Sequence, residues 1–166
     1  SREVYEYRMN KGQGHERDFL TVGGMGHASQ IALGVALQRP SRSVYCLDGD
    51  GAVLMHMGAL PITGTLKPEN FKHIVFNNGA HDSVGGQPTV GLEIEILEIA
   101  KACGYQLVVQ AQTPQEVQAG LRELKRSKVP CLLEIRIRRG ARKDLGRPAT
   151  TPVENKSAFM AFVQGG

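Results

Sequence analysis

The stretch DGDGAVLMHMGALPITGTLKPENFKHIVFNNG, residues 48–79, decides the fold of this chain. It opens with two aspartates that alternate with glycines, and it closes with two asparagines followed by a glycine. Between them, an apolar run over 52–64 has the length of a helix, and HIVFN, residues 73–77, is typical of a buried strand. The acids and the amides therefore occupy two successive strand ends, one helix and one strand apart.

Strands and helices alternate along the rest of the chain. Apolar runs bounded by turn residues predict strands over 18–23, 43–48, 73–77, 106–111 and 130–137. Helices are predicted within 1–17 and over 27–40, 52–64, 92–104 and 113–127. Several strands are continuous apolar runs, which indicates an α/β fold with a doubly wound, mostly parallel sheet and helices on both faces. We expect a single domain over 1–166, in which 139–166 is an irregular C-terminal tail with a short helix.

Turn and capping residues mark several helix ends. Gly104 fits a left-handed cap after the 92–104 helix. Thr113 is the expected N-cap of the 113–127 helix, with Pro114 at the first helical position and Glu116 completing a capping box. Pro61 predicts a break within 52–64.

The composition is that of an ordinary globular protein, with 41% hydrophobic and 22% charged residues and a formal net charge of +4. No run approaches the roughly 18 consecutive apolar residues of a membrane span, and the polar N-terminus shows no signal peptide. Three scattered cysteines, Cys46, Cys103 and Cys131, indicate free core thiols. We therefore expect a cytoplasmic protein without a membrane partner.

A basic segment lies near the C-terminus. It carries Arg138, Arg139, Arg142, Lys143 and Arg147. Such a run is typical of a solvated surface, and the alternative is a grip on an anionic ligand. Because no aromatic residues interleave with these charges, a nucleic-acid partner is not expected.

Three predicted strand ends carry unusual residues: GGMG at 23–26, DGDG at 48–51 and NNGAHDS at 77–83. Ligands of such folds bind at the carboxyl ends of the strands, so the three loops should share one site. The glycines of DGDG allow a tight turn, and the following helix start is suited to a phosphate group. Since Asp50 adds a negative charge there, a hard cation such as Mg²⁺ should lie between the carboxylate and the phosphates, with an asparagine oxygen as a neutral ligand.

Two other interpretations apply to these loops. Asp-Gly and Asn-Asn-Gly are common in plain turns, although the pair at this spacing favours a site. A nicotinamide-binding Rossmann loop is disfavoured because Ser29 stands in 24–29 where the third glycine of that motif belongs.

The two loops carry a family resemblance. GDG at 49–51, followed by 25 intervening residues and NN at 77–78, resembles the signature of thiamine diphosphate enzymes. GGMGHASQIALGVAL, residues 23–37, is similar to the first loop and helix of their pyrophosphate-binding domain. The resemblance implies that fold over essentially the whole chain, with thiamine diphosphate and Mg²⁺ as cofactors.

The resemblance also implies roles for individual residues. Asp50, the side-chain oxygen of Asn78 and the backbone carbonyl of Ala80 would be the protein ligands of Mg²⁺. Backbone groups of the loop Gly49, Gly51 and Ala52 would hold the diphosphate. In the first loop, Met25 would support the bent cofactor and bond its pyrimidine, beside Gly24, and the Gly23 carbonyl would accept from the cofactor's amino group.

In this family an essential glutamate comes from a separate pyrimidine-binding domain. Nothing before Gly23 is long enough to supply that domain. The resemblance therefore implies half of an active site, either a β subunit or the C-terminal half of a longer chain. The expected partner is a pyrimidine-binding domain or α subunit in a homo- or hetero-oligomer, and the apolar helices 27–38 and 52–64 should pack against partner chains.

Within the family, two segments are most similar to phosphonopyruvate decarboxylases, and next to the β subunits of sulfopyruvate decarboxylases. They are NNGAHDSVGGQPT, residues 77–89, and RRGARKDLGRPATTPVENK, residues 138–156. The implied substrate is a small anionic 2-oxo acid. His27 and His81 are candidates for substrate binding or proton transfer, and Asp82 for orienting a neighbour. Each has the alternative of a solvated loop residue, and the whole chain has the alternative of a non-catalytic cofactor-binding or regulatory module.

Overall fold

The computed structural model describes residues 1–165, which form two compact units. The larger unit is Met25–Gly140, and the smaller one combines residues 1–24 with the chain from 141 onward. No helix within 1–165 is long and apolar enough to cross a membrane. All three cysteines are free thiols.

A four-stranded parallel sheet forms the centre of the larger unit. Its strands are β1 (Val44–Gly49), β2 (Phe71–Asn77), β5 (Leu107–Ala111) and β6 (Cys131–Arg136), in the order β1-β2-β6-β5. A short antiparallel pair, β3 (Ala80–His81) with β4 (Gln87–Pro88), follows β2. The predicted parallel α/β fold is confirmed.

Five helices belong to this unit: α2 (Ala28–Gln38), α3 (Asp50–Met55), α4 (Ala59–Leu66), α5 (Ile96–Ala102) and α6 (Pro114–Arg126). A 3₁₀ turn spans Asp82–Val84. The smaller unit contains α1 (Arg2–Asn10) and α7 (Pro152–Gln164).

Helices cover both faces of the sheet. Successive residues of a strand point to opposite sides, and apolar residues of β2 point to both of them. On one face, Leu60 of α4 and Ala100 of α5 pack around Val75 of β2. On the other face, Leu124 of α6 packs against Ile74, the neighbour of Val75. This double burial explains why the strands are continuous apolar runs rather than alternating ones.

The register of β1 and β2 places the two quoted loops side by side. Gly49 of β1 is opposite Phe76 of β2, and both strands run in the same direction. Asp50, which follows β1, and Asn77, the last residue of β2, therefore lie at the same edge of the sheet.

The predicted helix over 52–64 is interrupted, but at a different place from the one expected. The interruption lies at His56–Gly58, between α3 and α4. Pro61 stands in the first turn of α4, where its missing N–H would have had no helical partner, so it does not break the helix.

The predicted strand over 18–23 is wrong, since this described segment forms no strand. Its backbone is paired with a side chain of α7 instead. Leu20 N donates to Asn155 Oδ1 at 2.8 Å, and Asn155 Nδ2 donates to the Asp18 carbonyl at 2.8 Å. An apolar pattern cannot distinguish this side-chain pairing from pairing with another strand.

The helix ends were predicted with mixed success. Thr113 and Glu116 form the expected capping box of α6, and Gly104 has the expected left-handed φ of 103°. The helix predicted from residue 92 begins only at Ile96, because 91–94 form turns. The C-terminal helix α7 begins with its own capping box, Thr151 with Glu154, which the sequence analysis did not identify.

The pairing of Asn155 gives a stability prediction. Asn155→Ala leaves a buried N–H and a carbonyl without their partners, so we expect the free energy of unfolding to fall by about 1–3 kcal/mol. Chemical denaturation followed by circular dichroism measures this. The control Asn10→Ala changes an exposed residue at the end of α1 and should stay within about 0.5 kcal/mol of the parent. Equal losses in both variants would contradict the assignment.

Candidate metal and diphosphate site

Asp50 is the first residue of α3 and only 1% exposed. Its Oδ1 accepts a hydrogen bond from the Asn78 backbone N–H at 3.4 Å, and its Oδ2 accepts from the Thr89 hydroxyl. Two segments that follow β2 therefore close on this carboxylate. Each oxygen keeps further lone pairs with which to coordinate a cation.

Asn78 has a defined amide orientation. Its Nδ2 donates to Asp82 Oδ2 at 2.6 Å, and the same oxygen accepts from the Gly140 N–H at 2.8 Å. Its Oδ1 lies on the other side and accepts from the Ala80 N–H at 3.0 Å. The Asp82 carboxylate therefore occupies the nitrogen end of the Asn78 amide.

The turn between the predicted ligands is held from the outside by Arg139. Its guanidinium donates to the Asn78 carbonyl at 3.3 Å and to the Gly79 carbonyl at 2.8 Å. Gly79 has a left-handed φ of 64°, and a Cβ there would lie 2.8 Å from Leu92. Only glycine fits this turn without strain or a shift of its neighbour.

The residues fit a cation and a diphosphate. A carboxylate, an amide oxygen and a backbone carbonyl are ligands of the kind that Mg²⁺ takes. A side chain at Gly91 would overlap the Asp50 carboxylate, and one at Gly51 would overlap the His81 ring. The bare backbone at Gly51 lies at the start of α3, where N–H groups have no helical partner and can face phosphate oxygens.

Three histidines lie near the first loop and the start of α3. The His81 ring lies against Gly51. The ring centroids of His27 and His56 are 4.1 Å apart, and His56 lies beside Gly26. His56 was not predicted as a site residue because the helix break was expected at Pro61, whereas the interruption lies at His56–Gly58 and this side chain lies beside the first loop.

Two further contacts of the site were not predicted from the sequence. Thr89 holds Asp50, and Arg139 holds the Asn78–Gly79 backbone. Thr89 belongs to the segment quoted for the family resemblance, and Arg139 belongs to the basic segment, so both lay within stretches already singled out. Their contacts could not be predicted, because they join residues 39 and 60 positions apart.

A second polar cluster is formed by Asp48 of β1, His73 of β2 and Tyr105. His73 Nε2 is 3.4 Å from Asp48 Oδ2, and His73 Nδ1 is 3.3 Å from the Tyr105 hydroxyl. Since a carboxylate only accepts, Nε2 is the donor in the first contact, and Nδ1 lies within hydrogen-bond distance of the Tyr105 hydroxyl. Burial raises the pKa of the Tyr105 hydroxyl, which keeps it a donor at neutral pH.

Cys46 completes this cluster. Its thiol lies 4.0 Å from Asp48 Oδ2, and the ligand atoms of Cys46, Asp48 and His73 are all within 4.8 Å of one another. Burial, followed by the nearby Asp48 carboxylate, raises the pKa of the thiol. The thiol therefore stays protonated at neutral pH, and the three groups form a buried hydrogen-bonded support for the end of β1.

The site residues predicted from the sequence fall into both units. The smaller unit contains Gly23 and Gly24. The larger unit contains all the others: Met25, His27, Gly49, Asp50, Gly51, Ala52, Asn78, Ala80, His81 and Asp82. Of the basic segment, Arg142 forms ion pairs with Glu3, Glu6 and Asp144 within the smaller unit. That guanidinium is bound to acids of its own chain.

Three decarboxylases or decarboxylase subunits have sequences similar to this chain. The chain is 39% identical over 163 residues to the phosphonopyruvate decarboxylase of Streptomyces viridochromogenes, which covers 98% of this chain and 40% of that protein. It is 36% identical to the phosphonopyruvate decarboxylase of Streptomyces hygroscopicus, over 98% of this chain and 39% of that protein. The sulfopyruvate decarboxylase subunit beta of Methanocaldococcus jannaschii is 40% identical, over 56% of this chain and 50% of that subunit. The chain thus spans about two fifths of the length of the two Streptomyces relatives.

A solved structure shares the fold. The thiamine diphosphate-dependent 4-hydroxybenzoylformate decarboxylase of Rhodococcus jostii RHA1 superposes with a TM-score of 0.63 over 71% of this chain and 24% of that one. At 22% identity this likeness concerns the architecture alone.

A family model matches most of the chain. It describes the thiamine pyrophosphate enzyme, C-terminal TPP binding domain, and it covers residues 3–135. That range includes both loops that close on Asp50, so the sequence resemblance and its thiamine diphosphate cofactor are confirmed. The chain belongs to the family of C-terminal, cofactor-binding domains of thiamine pyrophosphate enzymes.

Proposed function

We propose that this chain is the Mg²⁺- and diphosphate-binding half of a thiamine diphosphate-dependent 2-oxo acid decarboxylase. The proposed reaction converts 3-phosphonopyruvate to phosphonoacetaldehyde and CO₂. The observation that carries the proposal is the hydrogen bond between the Asn78 N–H and the Asp50 carboxylate, which brings these two residues together at one edge of the sheet. The substrate is proposed from the Streptomyces relatives, which match almost the whole chain.

In the proposed site, three groups hold Mg²⁺: the Asp50 carboxylate, Asn78 Oδ1 and the Ala80 carbonyl. The backbone N–H groups of Gly51 and Ala52 face the diphosphate. When bound, thiamine diphosphate supplies the electron sink that a 2-oxo acid needs in order to lose CO₂. The role of this chain is to fix the cofactor's charged end and to neutralise it through the metal.

The polar side chains around this core have different proposed roles. Asp82 orients Asn78, because its carboxylate can only accept from the Asn78 Nδ2. His81 lies against Gly51 and would donate to the diphosphate or to an anionic substrate. His27, together with His56, is a candidate donor to the charged substituent of the substrate. Met25 supports the cofactor from the first loop.

The proposal includes a partner. A pyrimidine-binding domain or α subunit would supply the glutamate that activates the cofactor, in a homo- or hetero-oligomer. Several apolar side chains of α2, α3 and α4 are 38% to 54% exposed, which suits a surface that packs on such a partner: Ile31, Leu37, Met55, Ile62 and Leu66. Free, scattered thiols suit the cytoplasm as the compartment.

One alternative is the β subunit of a sulfopyruvate decarboxylase, favoured by the match to such a subunit from Methanocaldococcus jannaschii. The two substrates differ in their anionic group, a phosphonate or a sulfonate. A non-catalytic cofactor-binding module is the alternative from a different functional class.

Turnover discriminates these functions. With Mg²⁺, thiamine diphosphate and the pyrimidine-binding domain present, we expect CO₂ release from 3-phosphonopyruvate, with a higher kcat/KM than from sulfopyruvate. A higher kcat/KM for sulfopyruvate would instead identify the chain as the β subunit of a sulfopyruvate decarboxylase. Cofactor binding without CO₂ release from either acid would favour the non-catalytic module.

Asp50→Ala tests the metal assignment. Loss of a ligand should weaken Mg²⁺-dependent cofactor binding by more than about 100-fold, since the loss of a metal's outer-shell partner alone costs about 10- to 100-fold. Calorimetric titration of thiamine diphosphate at fixed Mg²⁺ measures the affinity. Asp144→Ala removes an acid whose side chain is 80% exposed and serves as the control, with affinity unchanged. An unchanged affinity of Asp50→Ala would show that Asp50 is not a ligand.

Asp82 variants separate orientation from proton transfer. Asp82→Asn keeps an oxygen that accepts from Asn78 and Gly140, so we expect cofactor affinity and kcat within about threefold of the parent if Asp82 orients Asn78. Asp82→Ala loses this acceptor and should weaken the apparent Mg²⁺ affinity by about 10- to 100-fold, with kcat restored at saturating Mg²⁺. A large fall of kcat in Asp82→Asn at saturating Mg²⁺ would instead make Asp82 a proton-transfer residue.

A further inference from the structure

Glu134 is a buried carboxylate next to the site with no role in the function proposed above. It lies in β6 and is 1% exposed. Its Oε1 accepts from Asn77 Nδ2 at 2.6 Å, its Oε2 accepts from Gln110 Nε2 at 3.0 Å, and Arg136 Nε lies 3.7 Å from Oε1. A buried carboxylate is stable only with such partners, so the contacts that surround Glu134 are part of the folded core.

Asn77, which forms the shortest hydrogen bond to Glu134, is fully buried, and both N–H groups of its side chain donate hydrogen bonds. One N–H of Nδ2 bonds Glu134, and the other donates to the Gly91 carbonyl at 2.6 Å. Its Oδ1 accepts from the Gly79 N–H at 3.2 Å. If the amide were reversed, Oδ1 would face two acceptors and Nδ2 would face a donor. The Glu134 carboxylate, together with the Gly91 carbonyl and the Gly79 N–H, therefore fixes the orientation of Asn77.

The two backbone groups that Asn77 binds belong to the two segments that close on Asp50. Gly79 lies between Asn78 and Ala80, the proposed metal ligands. Gly91 donates its N–H to Thr89 Oγ1 at 3.1 Å, and the Thr89 hydroxyl in turn donates to Asp50. Asn77 thus links the ligand turn with the segment that holds the first ligand.

We propose that Glu134 is a positioning residue of the metal site: by orienting Asn77, it keeps the Gly79 turn and the Thr89–Gly91 segment at the spacing that the metal requires. In this role Glu134 acts through Asn77 and is not itself a ligand. The inference rests on the proposed function for the identity of the ion and the cofactor. The hydrogen bonds themselves are independent of that assignment.

Gln110 provides a way to test the network. In Glu134→Gln, the new amide can still accept from Asn77, but its nitrogen then faces the Gln110 nitrogen, donor against donor, in the orientation that Gln110 adopts by accepting from Gln112 Nε2 at 3.3 Å. In the double variant Glu134→Gln with Gln110→Glu, the amide nitrogen at position 134 donates to the carboxylate at position 110. The amide oxygen at position 134 still accepts from Asn77. Residue 110 is exposed, so a carboxylate there remains solvated.

The experiment measures the affinity for Mn²⁺, by electron paramagnetic resonance in the presence of thiamine diphosphate, and the melting temperature of each variant. The protein is the full chain together with its pyrimidine-binding domain. We expect about 10- to 100-fold weaker binding in Glu134→Ala, weaker binding in Glu134→Gln, and recovery to within about threefold in the double variant. The control Glu123→Gln makes the same change at an exposed position of α6 and should leave affinity unchanged.

The outcomes separate this inference from the function on which it rests. If the parent protein binds no Mn²⁺ with the cofactor, the proposed function fails and the inference with it. If the parent binds and Glu134→Gln binds equally well, only the inference is overturned. If the double variant recovers the melting temperature but not the affinity, Glu134 serves folding alone, which also overturns it. Should Glu134→Ala not fold, Glu134→Gln and the double variant decide the question.

Discussion

The site depends on one hydrogen bond, from the backbone N–H of Asn78 to the carboxylate of Asp50. It joins the ends of two neighbouring parallel strands, and it forms because β1 and β2 run in the same direction with Gly49 opposite Phe76. A shift of one residue in this register would turn the side chains of one strand to the other face. The packing of helices on both faces opposes such a shift, so the core of the larger unit fixes the position of the proposed metal ligands.

Two hydrogen-bond networks hold the turn after β2 from opposite sides. The outer one consists of Arg139 and Asp82 and is partly exposed. The inner one consists of Asn77 and Glu134, and both residues are buried. Water competes for the outer bonds but not for the inner ones, so the inner network should contribute more to the geometry of the turn.

The distribution of charge around the turn agrees with the need for a cation. Asp50, Asp82 and Glu134 bring three carboxylates to one sheet edge, and only Glu134 has a cationic side chain within ion-pair distance among the described residues. Hydrogen-bond donors from backbone, amide and hydroxyl groups bind Asp50 and Asp82 without neutralising them. A divalent cation at Asp50 would neutralise part of this charge and would allow a diphosphate to approach.

The sequence predicted the order of the strands and helices of the larger unit, since burial of strands on both faces leaves continuous apolar runs between turn residues. It also predicted the paired loops, because tight turns next to an anion need glycine and because carboxylate and amide oxygens are ligands of hard cations. It mispredicted 18–23, where Asn155, 135 positions from Leu20, replaces a strand partner.

The contacts that give each loop residue its partner were decided by the tertiary structure alone. Thr89, Arg139 and Glu134 reach the site from distant parts of the chain, and no local spacing records such contacts. His56 lies beside the first loop because the helix is interrupted at His56–Gly58, before the position of Pro61. Residue types and their local spacing thus determined which chemistry the edge of the sheet can perform, and long-range packing decided which side chains hold it in place.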